Sequence, residues 1–236
     1  MSVSTSDQPQ KLPSATTSMM YFLIISIFYI ILIIYNINNS TTKEQIENQC
    51  KNNTLIFVYI LLLVIGTYVI NVNMSKALCK DENEIKWSKV FILTIIPWVV
   101  VFGILFFLLE IFPAWCNPFS NTIGYLVINS LGAGEIIKKI FEDLKSKNSN
   151  KGKDILRSIE YISKNKSKIL NEIDYNKNEF DKFIESLGDI AIIKDEGLDL
   201  ELFKHVNIKH QIGKIFWYIL AGTLVSSITY NLLLNM

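Results

Sequence analysis

Chemistry needs nucleophiles, metal ligands or titrating groups held close together, and this sequence offers few such sets. Cys50, Cys79 and Cys116 form no Cys-x-x-Cys pair and have no neighbouring histidine, which is the wrong pattern for zinc. In a four-span chain Cys50 and Cys116 fall on one membrane face, so an oxidising compartment would let them pair; free thiols are the simpler reading. His205 and His210 lie five residues apart, off a shared helical face, which argues against paired ligation. They read as solvated residues ahead of an apolar run. Glu110 is the one ionisable group inside such a run. Intramembrane acids mark proton or cation paths, but Phe112-Pro113 follows closely, so this carboxylate should reach the interface, and no second charge exists to extend a path. No Ser-His-Asp set, phosphate loop or His-Glu-x-x-His motif occurs. The chain does not read as an enzyme, and no catalytic residue, cofactor or metal site is expected.

The elements that must position these residues follow from composition. Half of the 236 residues are hydrophobic and 19% are charged, below the ~25% of a soluble domain. The mean hydropathy is +0.30. A net charge of +1 gives no attraction to nucleic acid. The 22 Lys stand against a single Arg, Arg157, a bias that physics does not ask for and AT-rich coding explains. Four runs approach the ~20 apolar residues that a hydrocarbon core of ~30 Å requires: Met19–Ile37, Thr54–Val72, Val90–Phe112 and Ile215–Leu234. They are apolar all round, as spanning helices are and globular helices are not. Tyr21, Tyr35, Tyr68, Trp98, Trp115, Trp217 and Tyr230 sit mostly near their ends as an aromatic belt would. Pro97 should kink the third run. Gly222 and Ser226 form a small-xxx-small pair suited to helix packing in the fourth.

Four spans put both termini on one side. Short-loop lysines (Lys76, Lys80, Lys86 and Lys89 against Lys43 and Lys51) favour cytosolic termini slightly, and orientation stays open. Residues 1–18 read as a flexible polar leader. Pro113–Gly134 is uncharged and broken by proline and glycine. It reads either as an interfacial or re-entrant segment or as a turn and short helix packed on the bundle. Residues 135–212 read as an extramembrane helical domain, with an apolar seam at Ile155, Ile159, Ile162, Ile169 and Ile173 and a second short helix at Phe180–Leu187. Lys138–Lys168 is basic and Ile169–Phe203 acidic, so the two halves are expected to pair. The fold class is all-α: a polytopic membrane protein with four transmembrane helices and a helical domain between the third and fourth.

The block from Phe112 to Tyr125 has Trp115, then Pro118-Phe119-Ser120-Asn121, then Gly124-Tyr125, directly after a hydrophobic run. It resembles a segment of membrane proteins of nucleocytoplasmic large DNA viruses. That resemblance implies a structural protein of the virion internal membrane, made in host endomembrane and linking that membrane to capsid or minor capsid proteins. Trp115, Phe119, Ser120, Asn121 and Tyr125 are then the expected partner contacts, with the lipid bilayer as the other partner and no nucleic acid. A small channel or transporter subunit and a host-organelle membrane scaffold are the rival readings.

Overall fold

The computed structural model describes residues 15–78, 87–147, 157, 160–161, 164–186 and 197–235. The polar leader up to residue 14, Cys79, and the seam positions Ile155, Ile159 and Ile162 lie outside them. The described residues are 91% helical and contain no strand, so the class is all-α. In chain order the helices are α1 (Ala15–Asn38), α2 (Lys43–Lys51), α3 (Thr54–Leu78), α4 (Trp87–Ile111), α5 (Asn117–Phe119), α6 (Tyr125–Ser130), α7 (Ala133–Lys147), α8 (Lys166–Glu172), α9 (Lys177–Ser186) and α10 (Leu198–Leu234). A 3-10 turn at Pro113–Cys116 and a π turn at Ser120–Gly124 join α5 and α6 into one helical run.

The helices α1, α3, α4 and α10 are long and apolar enough to cross a membrane, the architecture of a multi-pass membrane protein. Phe57, Val99 and Phe107 are each 65–67% exposed on their outer faces, a surface that water penalises and lipid accepts. At 37 residues, α10 is ~55 Å long. A hydrocarbon core of ~30 Å takes up only part of that length. Gly213 does not break it: the expected boundary between the extramembrane domain and the fourth span is continuous helix.

The chain forms two compact units, one from Met1–Ile27, Ile56–Phe107 and Tyr218–Met236, the other from Phe28–Leu55 and Leu108–Trp217. In the first, aromatic rings of α1 lie on glycines of its neighbours. A Cβ at Gly66 would stand 2.1 Å from the Tyr21 ring, and one at Gly222 would stand 2.2 Å from the Phe22 ring. Gly222 is therefore a close-packing position, and its partner is an aromatic ring. Ser226 has an enclosed hydroxyl with no hydrogen-bond partner among the described residues. Phe22 meets Trp98, which packs on Phe102, which stacks on Tyr218. Two buried polar pairs tie helices together: Ser26 with Tyr59 at 2.8 Å, and Asn71 Nδ2 donating to Thr94 Oγ1 at 2.9 Å. Pro97 sits inside α4 without ending it.

In the second unit the loop after α1 is not irregular. Thr42 caps α2 by accepting from the Gln45 amide, while Gln45 Oε1 accepts from Thr41. This is close to a capping box, legible in the sequence as Thr-x-x-Gln.

Candidate functional site

The centre of the second unit is the first part of α10. Every residue from Leu202 to Ile212 is less than 10% exposed, including Lys204, His205, Asn207, Lys209, His210 and Gln211. A helix so enclosed is normally apolar, because a buried polar group without a partner costs ~1–3 kcal/mol. Here most partners are supplied. His205 places Nδ1 2.7 Å from the Glu201 carbonyl oxygen and Nε2 3.2 Å from that of Leu131. Asn207 donates to the Phe203 and Tyr175 carbonyls. Lys209 donates to the Leu170 carbonyl and to Asn121 Oδ1, and burial draws its pKa down to about 8. The expectation that His205 and His210 are solvated is thus corrected. Surrounding elements wrap the helix and substitute carbonyls for water.

The uncharged helical run 113–130 packs antiparallel to this stem. Its end, Leu131, meets His205; Gly124 meets the Lys209 backbone; Cys116 and Ser120 meet Gly213; and Trp115 and Phe119 meet Trp217. At two crossings there is no room for a Cβ: one at Gly124 would lie 2.5 Å from the Lys209 oxygen, and one at Gly213 would lie 2.8 Å from the Cys116 oxygen. Trp217 Nε1 donates to the Trp115 carbonyl at 2.6 Å.

The expected partner contacts are divided by this packing. Ser120 is buried, Phe119 is half-buried against Phe216 and Trp217, and Asn121 accepts from Lys209 and Asn171. Tyr125 is half-buried. Trp115 stays 46% exposed beside Phe112 at 49%, and Leu126 at 63% continues the exposed face. The hydroxyls of Thr122 and Ser130 on this face fold back onto carbonyls four residues earlier.

Two cavities, of about 290 and 240 Å³, lie beside the stem and share Pro113, Tyr175 and His210. Tyr175 and His210 stack with ring centroids 3.6 Å apart. Burial first, then Lys214 and Lys209, push the His210 pKa down to about 3, so the imidazole is neutral. Burial also raises the Tyr175 pKa. The larger cavity carries the Glu110–Lys214 pair, so Glu110 is answered by a cation at the foot of the fourth span. Cys50 lines it and Cys116 is buried in the same unit. Both are free thiols whose pKa burial raises to about 11.

Part of the basic half of the insert lies outside the described residues. Among the described ones Lys166 reaches Glu135 at 3.7 Å, and the acids Asp181 and Asp199 are bridged by Lys43 of α2, at 2.8 and 2.9 Å. Lys177 joins Asp181 to Glu44. Among the described residues no cluster of His, Cys, Asp and Glu could hold a metal ion. No protein-family model, no curated protein and no solved structure matches this chain.

Proposed function

We propose that this protein is a structural integral membrane protein that links a membrane to an overlying protein coat. The observation that carries the reading is the exposed apolar face of the uncharged run, with Phe112, Trp115 and Leu126 outward while its buried side is locked onto α10 by Gly124 and Gly213. Large rigid apolar side chains on a positioned scaffold are what a protein contact uses. The resemblance of the Phe112–Tyr125 block implies the internal membrane of a large DNA virus, with capsid or minor capsid proteins as the coat. Particle fractionation tests this: the chain should copurify stoichiometrically with particles and leave only with detergent. A photoreactive group at Leu126 should capture a distinct coat protein. Capture of lipid alone, or of the chain's own helices alone, defeats the linking role.

A second reading, a channel or transporter subunit, has one observation in its favour. Asn71, Ser75, Thr94 and Thr229 are buried within the apolar helices, and the Ser75 and Thr229 hydroxyls lack partners among the described residues. Reconstituted chain that raised liposome ion permeability would favour it.

A further inference from the structure

The larger cavity of the second unit has a lining that the linking role does not use. Two cations and two anions face it as pairs: Lys51 with Glu47 at 2.8 Å, and Lys214 with Glu110. The formal sum is zero, so a purely anionic or purely cationic guest meets as much repulsion as attraction. His210 belongs to the lining and is 9% exposed. Its ring stacks on Tyr175. Being neutral, it offers one N–H and one lone pair. Both cavities reach this residue, so a guest in the larger one can take up its hydrogen-bonding groups.

Position and size narrow the guest. Lys51 stands just before the apolar run that opens at Thr54, Glu110 just before the end of the run at Phe112, and Lys214 directly before Ile215. All three stand at the level where lipid headgroups lie. The volume of about 290 Å³ is at the lower end of ligand pockets, which begin near ~300 Å³. It fits a headgroup and not a whole lipid.

We propose that this cavity binds a phosphoethanolamine headgroup, whose ammonium meets Glu110 and Glu47 and whose phosphate meets Lys214, Lys51 and the His210 N–H. A primary ammonium donates to both carboxylates, whereas a choline has no N–H to give. An anionic glycerol headgroup leaves the carboxylates facing like charge. The chemistry is that of a phosphoester amine, and its source is either a membrane phospholipid or a free small molecule.

The test uses the full chain in non-ionic detergent, offered equal amounts of phosphatidylethanolamine, phosphatidylcholine and phosphatidylglycerol with the same acyl chains. Retained lipid is read by native mass spectrometry. Phosphatidylethanolamine should be retained about tenfold over the others, a difference of ~1.4 kcal/mol. His210→Phe keeps the ring stack and removes both nitrogens, and Glu110→Gln removes one anion; each should abolish the preference without changing helical circular dichroism. Lys51→Gln, at a rim side chain 70% exposed, gives a third variant in which misfolding is not at issue, and it should lower retention several-fold. Soluble glycerophosphoethanolamine that displaces the lipid assigns a free phosphoester amine as a competent source; failure to displace it assigns the lipid. Equal retention of the three lipids, or a preference unchanged in Lys51→Gln and in every folded variant, overturns the proposal.

Discussion

A lysine or histidine enters a protein interior only if its nitrogen finds acceptors or gives up its proton, and the stem of α10 shows both solutions. Lys209 takes the first, on Leu170 and Asn121. His210 takes the second. Its folded pKa of about 3 lies below the ordinary 6.5, so its contribution to stability is fully present above pH 6.5. That contribution falls as the pH drops towards 3, because only the unfolded chain takes up the proton across that window. The slope is ~1.4 kcal/mol per pH unit. Thermal unfolding in detergent between pH 7 and 5 should therefore show a falling midpoint, and His210→Phe should flatten the decline. Lys43 is a different case. It bridges Asp181 and Asp199 and lies 4.9 Å from the centre of the Phe180 ring, with its side chain 15% exposed. Lys43→Met should cost ~1 kcal/mol, more than a lone surface pair, since two carboxylates lose a shared partner. A urea titration followed by circular dichroism would measure it. Neither histidine was legible as buried. Residues Leu202–Ile212 carry polar groups all round, and a sequence window cannot see the carbonyls that other segments bring to them.

At the scale of elements, proline and glycine misled in an instructive way. The stretch after α4 reads as broken, yet it is helical from Pro113 to Ser130, with the pitch changing through 3-10, α, π and α turns. Pro113 opens the run, where a missing N–H costs nothing, and Pro118 is carried inside it without ending it. Gly124 and Gly213 permit close approach of two helices, a role that a single chain segment does not disclose. Their weight is measurable. Gly124→Ala and Gly213→Ala press a methyl onto backbone at 2.5 and 2.8 Å, and each should destabilise by ~1–3 kcal/mol. Gly103→Ala in α4 meets nothing within 4 Å and should be neutral or stabilising by ~0.5–1 kcal/mol through helix propensity. Thermal midpoints of the three variants in one detergent would separate packing glycines from a permissive one. Three of the long helices, α1, α3 and α4, were legible to within about two turns of their ends, because a spanning run needs no partner to declare itself. By contrast, α10 begins at Leu198, well before the run expected from Ile215, because its polar first half carries no apolar signal of its own.

At the scale of the whole molecule, four crossings fix sidedness without fixing orientation. An even number of spans returns the chain to the side from which it started. The connection between α1 and α3 and the insert between α4 and α10 then share the opposite side. The native thiols are poor reporters of this, since Cys116 is 1% exposed and burial raises the pKa of both Cys50 and Cys116 to about 11. A buried thiol held protonated reacts slowly wherever it lies. Single cysteines placed at exposed positions in a cysteine-free chain avoid the difficulty. Lys51→Cys and Ser130→Cys report one side, while Trp87→Cys and Asn235→Cys report the other; all four positions are exposed. In sealed vesicles of one orientation, a membrane-impermeant maleimide should label the first pair and spare the second, or the reverse, and detergent should make all four reactive. Labelling of Ser130→Cys together with Trp87→Cys from one face would mean that α4 does not cross. Labelling of Ser130→Cys together with Asn235→Cys would remove the crossing of α10. The second outcome would be the more damaging, because α10 joins the buried polar stem to an apolar run in a single unbroken helix. If that run lay outside the bilayer, Ile215 to Leu234 would expose Leu220, Leu224, Leu232 and Leu234 to water, at a cost no soluble surface of this composition carries.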